Sequence, residues 1–183
     1  MSQLLERLHE DHRHLARLLD LLDKLLDMFH EGTEPDYELM CEMLEYMEKY
    51  ADQVHHPSED LIFDRMRAHG NQHRSVLDVL SKQHEVLGEI NKQFRESLEG
   101  IVHEEVLRRD QVEAHGRELV QTLRKHLDME EREAFPLARE LLTERDWEEI
   151  EQQISKVTDP VFGDRDPGRF KALYQHLMDQ TAP

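Results

Sequence analysis

Six ionisable residues stand on lines that should be apolar. His12 falls between Leu8 and Leu15, His84 between Leu80 and Leu87, and the pair His55 and Glu59 between Ala51 and Ile62. A second pair, His126 and Glu130, interrupts the line from Leu123 to Ala134. Buried without partners, such groups would cost about 1–3 kcal/mol for each neutral one and more for each charged one. Something must satisfy them together. Each His-x-x-x-Glu pair is four residues apart and so shares one helix face, one turn apart. Imidazole and carboxylate donors together suit iron, zinc or manganese, and the lack of clustered thiols argues against an iron–sulfur centre. Four histidines and two carboxylates, each carboxylate able to bridge, suit a dinuclear site better than a mononuclear one.

The elements that must position these residues are helices. Leu4, Leu8, Leu15, Leu19, Leu22, Leu26 and Phe29 step by three, four or seven, marking a first helix that stops at Gly32-Thr33-Glu34-Pro35. A second begins near Asp36, carries Met40, Leu44, Met47, Ala51, Ile62 and Met66 inward, and ends at Gly70-Asn71. A third carries Leu77, Leu80, Leu87, Phe94 and Leu98, with its turn placed loosely between residues 99 and 110. A fourth carries Val112, Leu119, Leu123, Leu127, Ala134, Leu137 and Leu141. Short connections make this an all-α, antiparallel up-down-up-down four-helix bundle. Residues equidistant from a turn lie at one height. The midpoints of His12/His55, His55/His84 and His84/His126 fall at about residues 33, 70 and 105, in or near the three turns. The four histidines are therefore expected in one layer.

Two short C-terminal helices are expected beyond the bundle. Thr143 can cap one running from about Asp146 through Val157, Asp159–Gly163 reads as a loop, and Asp166-Pro167 starts the other, carrying Phe170, Leu173, Tyr174 and Leu177. This divides the chain into a bundle over residues 1–142 and an extension over 143–183 packed on it.

At the polar residues the chain resembles the hemerythrin-like, or HHE cation-binding, family. The matching segments are Glu10-Asp11-His12-Arg13, His55-His56-Pro57-Ser58-Glu59-Asp60, Gln83-His84-Glu85 and His126-Leu127-Asp128-Met129-Glu130-Glu131 running to Phe135-Pro136. The resemblance spans roughly residues 1–142. It implies two non-haem iron ions in a carboxylate-bridged di-iron centre held by His12, His55, Glu59, His84, His126 and Glu130, with zinc or manganese as possible substitutes. Oxygen-carrying members place two histidines four apart on the third helix, whereas here Gly88 follows His84 by four and Leu80 precedes it by four. The last motif is also shorter than the carriers' His-to-Asp spacing. One iron is thus expected to lack a histidine, which points away from reversible oxygen carriage. Members with a similar reduced set look like sensors or iron–sulfur repair proteins.

His56 is rotated about 100° from His55, shares a face with Lys49 and Asp52, and is left out of the expected set, although some relatives use the residue at this position. His9, His14, His30, His69, His73 and His103 are read as solvated or at helix ends. His115, eleven residues from His126, lies about 16 Å along the helix and is too distant for the same metal pair. A ferritin-like core would need Glu-x-x-His on two helices, and only Glu6-Arg7-Leu8-His9 has that spacing. Pro57, inside the second ligand pair, should kink its helix and free a carbonyl near Gln53.

Composition limits the remaining possibilities. The formal charge of -18 disfavours nucleic acid and anionic membrane partners, and no apolar run reaches the length of a membrane span. No signal-peptide-like apolar run follows Met1, and the single cysteine, Cys41, sits among Met40, Met43 and Leu44 as core filling, so a cytoplasmic setting is expected. The functional expectation is binding of, or reaction with, a small diatomic ligand (oxygen or nitric oxide) or peroxide, for sensing or redox protection. Iron storage, delivery or iron–sulfur cluster repair is the alternative, and a metal-stapled structural or interaction bundle the third. The sequence names no protein partner and does not choose between monomer and homodimer.

Overall fold

The structure, a computed structural model, describes residues 2–70, 73–104, 106–163 and 168–179. Helix α1 (Gln3–His30) is followed by α2 (Tyr37–Tyr46), a π-helical segment (Met47–His55) and α3 (His56–His69), which form one continuous rod. Helix α4 (Arg74–Val102) returns, and α5 (Arg109–Met129), a second π-helical segment (Glu130–Ala134) and α6 (Phe135–Leu141) form the fourth rod. Helices α7 (Glu144–Glu151) and α8 (Lys171–Asp179) complete the fold, with no strand among the described residues. Rod one packs on rods two and four, and α4 on rods two and four, which is the expected antiparallel four-helix bundle.

Local chemistry sets the ends. Gly32 takes φ 82°, a left-handed conformation that glycine adopts without Cβ strain, and the Asp36 side chain accepts the Leu39 N–H at 2.9 Å to start α2. Thr143 and Asp146 form a reciprocal capping box at α7. Two boundaries differ from expectation. Helix α7 stops at Glu151 rather than near Val157, where Ser155 Oγ accepts the Val157 N–H at 3.2 Å in place of a helical bond. Helix α8 starts at Lys171; the expected start at Asp166-Pro167, like Asn71 of the second turn, lies outside the described residues.

The apolar interior is split in two. One cluster runs from Leu15 down α1 and includes Leu44, Tyr46, Leu87, Phe94, Leu119 and Leu123, joined by Val161, Phe170 and Leu173 of the C-terminal segment. The other holds Leu4, Leu5, Leu8, Ile62, Phe63, Leu80 and Phe135, joined by Ile150 of α7. Between them lies a layer of buried polar side chains: Asp11, His12, His55, His56, Ser58, Glu59, His84, His126 and Glu130. Among the described residues no helix is long and apolar enough to cross a membrane.

Gly116 lets the fourth rod pack directly against Leu26 and Phe94. A Cβ there would lie 2.6 Å from Leu26 Cδ2 and 2.8 Å from Phe94 Cζ, both on fully packed side chains. Gly116→Val should lower the unfolding free energy by about 1–3 kcal/mol through overpacking, read as a shifted urea midpoint at constant m-value. An unchanged midpoint would show slack at this contact.

Candidate metal centre

Both π-helical segments end one residue short of an X-Pro pair. The prolines, Pro57 and Pro136, cannot donate the ordinary helical hydrogen bond, and the residue before each bonds back five instead of four: His56 N–H to the Ala51 carbonyl, and Phe135 N–H to the Glu130 carbonyl. The expected irregularity at Pro57 is therefore a widened helix, and a matching one lies before Pro136. The wider turn carries a consequence for His56. Rotation at 100° per residue turns it away from the core, but a π-helix needs more residues per turn, so consecutive side chains diverge less. His55 and His56 both point inward and are both buried. His56, left out of the expected set, thus lies in the same buried layer as the six residues named there.

The layer is built around two carboxylates. Glu59 Oε1 lies 3.1 Å from Nε2 of both His12 and His55, and Glu59 Oε2 lies 3.5 Å from His84 Nε2. Glu130 Oε2 lies 3.4 Å from His12 Nε2 and 3.2 Å from His126 Nε2, and Glu130 Oε1 lies 3.4 Å from His84 Nε2. All six residues singled out by spacing thus meet in one cluster, with both glutamates fully buried. His56 stacks on His84 with centroids 4.4 Å apart and lies 5.6 Å edge-on to His126. Two groupings of potential ligand atoms result: His12, His55 and Glu59 on one side, and His56, Glu59, His84 and His126 on the other, each within 4.8 Å. Glu59 belongs to both.

Four of the five histidines are held from behind. Nδ1–H of His12 donates to Glu131 (2.8 Å), of His55 to Asp11 (3.0 Å), of His84 to Asp60 (3.1 Å), and of His126 to the Gln83 side-chain oxygen (2.9 Å). His56 Nδ1 lies 3.3 Å from Asp52 without a hydrogen bond to it. Such partners orient these four rings with Nε2 aimed inward, the nitrogen a cation would take once its proton is displaced. Sequence spacing missed these five residues. Four of them nevertheless flank a ligand candidate within the quoted motif segments, where Asp11, Asp60, Gln83 and Glu131 stand. Asp52 lies one helical step before His56 and also sits 3.7 Å from the Cβ position of Gly88.

Electrostatics of the metal-free layer follow from burial against charge. Burial alone would lower the His55 and His84 rings, but Glu59 and Asp11 hold His55 at about 9, and Asp60, Glu130 and Glu59 hold His84 at about 11. His12 is likewise raised by Glu130, Glu131 and Glu59 against its burial. His56, whose burial is not outweighed, falls to about 4. Glu59 and Glu130 are held below the usual carboxylate range by the surrounding imidazoles, against burial. Protons thus occupy, in the metal-free protein, the place a cation would take.

The remaining histidines fall elsewhere. His9 Nδ1–H donates to Glu131 at 2.8 Å, and its Nε2 accepts from Arg139; it makes no ferritin-like pair with the exposed Glu6. His115 meets Ser97, and His30, His69, His73 and His103 are exposed.

The Hemerythrin HHE cation binding domain model matches residues 3–138, most of the chain. The chain belongs to this family. Searches of curated proteins and of solved structures gave no match. The HHE assignment implies bound metal, typically iron, and the layer fits one. His55 Nε2, His56 Nε2, His126 Nε2, Glu59 Oε2 and Glu130 Oε2 are buried and lack hydrogen-bond partners among the described residues. Unpaired buried nitrogen and carboxylate donors converging on one space are what a cation would satisfy.

Two outcomes follow. Asp60→Ala, which frees His84 Nδ1, should weaken metal binding about 10–100-fold in a chelator competition while leaving helix content unchanged. His12, His55 and His84 have raised values, so their contribution to folding the metal-free protein is complete below about pH 6.5 and is lost as pH rises through about 9 and about 11. Metal-free HHE domain should therefore lose stability between about pH 7 and 11, while the metal-loaded form, with those protons displaced, should not. Parallel pH profiles for the two forms would contradict this.

Proposed function

We propose that this HHE protein is a non-haem di-iron protein that binds or reacts with oxygen, nitric oxide or peroxide in the cytoplasm, in sensing or redox protection. His12, His55, His56, His84 and His126 would hold the two ions, with Glu59 and Glu130 shared between them. When bound, the ions supply redox electrons and a coordination position that a diatomic ligand can fill.

The observation that carries this reading is an asymmetry. The grouping at His84 and His126 has three histidines, while the grouping at His12 and His55 has two. His12 also lines a cleft of about 640 Å³ with His9, Ala16, Leu127 and Glu131, open toward solvent. The side short of a nitrogen donor is the side a small molecule can reach, as in catalytic metal sites that keep a position open. The chain's own residues do three things there. Phe135, stacked on His12 at 5.0 Å, and Leu8 and Leu15 exclude bulk water from above and below. The Nδ1 partners prevent the rings from turning. Glu131, shared by His9 and His12, orients His12 at the mouth of the cleft. The half-buried Cys41 thiol is pushed up to about 11 chiefly by burial, so it stays protonated near neutral pH.

Iron-loaded protein prepared without oxygen should change its absorption spectrum on exposure to air or nitric oxide, and His84→Ala should abolish the change. Ala16→Trp, which narrows the cleft, should slow ligand association several-fold at unchanged metal content. If no gas perturbs the fully loaded protein, yet it passes iron to an apo acceptor, the iron-delivery reading replaces this one.

A further inference from the structure

Beyond the family's residues, the loop between α7 and α8 reaches back to α1. There Asp159 approaches Asp11 and His14, and one ligand atom from each lies within 4.8 Å of the others. Both carboxylates are buried, and His14 is half-buried. Each is fixed by contacts that leave donors facing the shared space. Asp159 Oδ1 accepts the N–H groups of Val161 and Phe162 at 2.8 and 2.9 Å, while its Oδ2 accepts the Tyr46 hydroxyl at 2.8 Å and lies 3.9 Å from His14 Nδ1. Asp11 holds His55 Nδ1 through Oδ2 and takes the Tyr50 hydroxyl at 3.2 Å on both oxygens.

His14 repeats the inner arrangement with its nitrogens exchanged. The ring stacks on Phe162 at 3.9 Å and 8°, and Nε2 faces Glu10 Oε1 at 3.3 Å. With Nε2 carrying the proton toward Glu10, Nδ1 presents a lone pair inward, and that atom is buried without a hydrogen-bond partner. A cavity of about 270 Å³ touches all three residues and gives access from solvent past Arg7, Glu10 and Lys156. Two buried carboxylates and one imidazole nitrogen sum to two negative charges, the complement of one divalent ion. The mixed nitrogen and oxygen set suits manganese, ferrous iron or zinc better than calcium or magnesium.

We infer that Asp11, His14 and Asp159 form a second, mononuclear divalent transition-metal site, closed by the C-terminal segment and separate from the histidine–glutamate layer. Asp11 links the two, since its carboxylate orients His55 on one side and faces the outer ion on the other. The 158–163 loop thereby acquires a role in metal handling that residues 3–138 alone would not supply.

The inference does not depend on what the inner layer binds, and equilibrium dialysis of the full chain against zinc or manganese separates the two. Wild type should bind one equivalent more than the inner layer takes alone. Asp159→Asn and His14→Gln should each bind one tight equivalent fewer than wild type, with that ion weakened at least about tenfold. Glu59→Gln with Glu130→Gln should lose inner ions yet keep the outer one, which manganese would report as an isolated paramagnetic signal. His14→Gln loses the Phe162 stack but leaves Asp159 with its contacts to Val161, Phe162 and Tyr46, so misfolding of Asp159→Asn would not obscure the result. A tight count that is equal in wild type and in both outer variants would overturn the outer site. An undiminished count in the double glutamate variant would instead fault the inner one.

Discussion

Two carboxylates buried side by side in the centre of a helical bundle govern this molecule. Glu59 and Glu130 have no exposure, and each raises the cost of ionising the other. Moving a carboxylate out of water costs several kcal/mol even after relaxation, so the pair can persist only if positive charge lies between them. Five imidazoles surround them, and behind those stand four more carboxylates and one amide. The alternation of carboxylate, imidazole and carboxylate accounts for the division of the apolar core. It also explains why the shifts of His12, His55 and His84 run against their burial.

The backbone meets this constraint with two matched irregularities. A regular helix would show one residue of His55-His56 to the core and turn the other away. The π-helical stretch before Pro57 lets both face in, and the stretch before Pro136 begins at Glu130 itself. Asn91 supports the first of these from α4, donating to the Leu44 carbonyl at 3.0 Å near the point where α2 gives way to the wider helix. The prolines thus act on ligand direction more than on the course of the rods, which remain continuous. The irregularity also makes the layer lopsided, with three histidines toward α4 and two toward the cleft beside α1.

Much of this was legible in the sequence because the bundle is periodic. Apolar steps of three and four gave the rods, and polar residues interrupting those steps gave His12, His55, Glu59, His84, His126 and Glu130. Turn positions then set their common height, since antiparallel neighbours are related by reflection through the turn. His56 was not legible because a helical wheel assumes 3.6 residues per turn, and the proline that breaks the assumption was read as a kink and not as a wider helix. The orienting residues Asp11, Asp60, Gln83 and Glu131 lay within the motif segments but carry no periodic signal of their own. The contacts of Asp159 with Tyr46 and the α1 side chains were beyond reach, because they join segments more than a hundred residues apart across an irregular loop.

The central claim is that the buried layer holds two ions sharing Glu59. Mössbauer spectroscopy of full-length protein loaded with isotopically enriched iron, oxidised in air, tests it most directly. The account predicts a diamagnetic ground state from an exchange-coupled ferric pair in nitrogen and oxygen ligation, lost in Glu59→Gln. Magnetically isolated high-spin ferric sites, with no coupled component in the wild type, would contradict it.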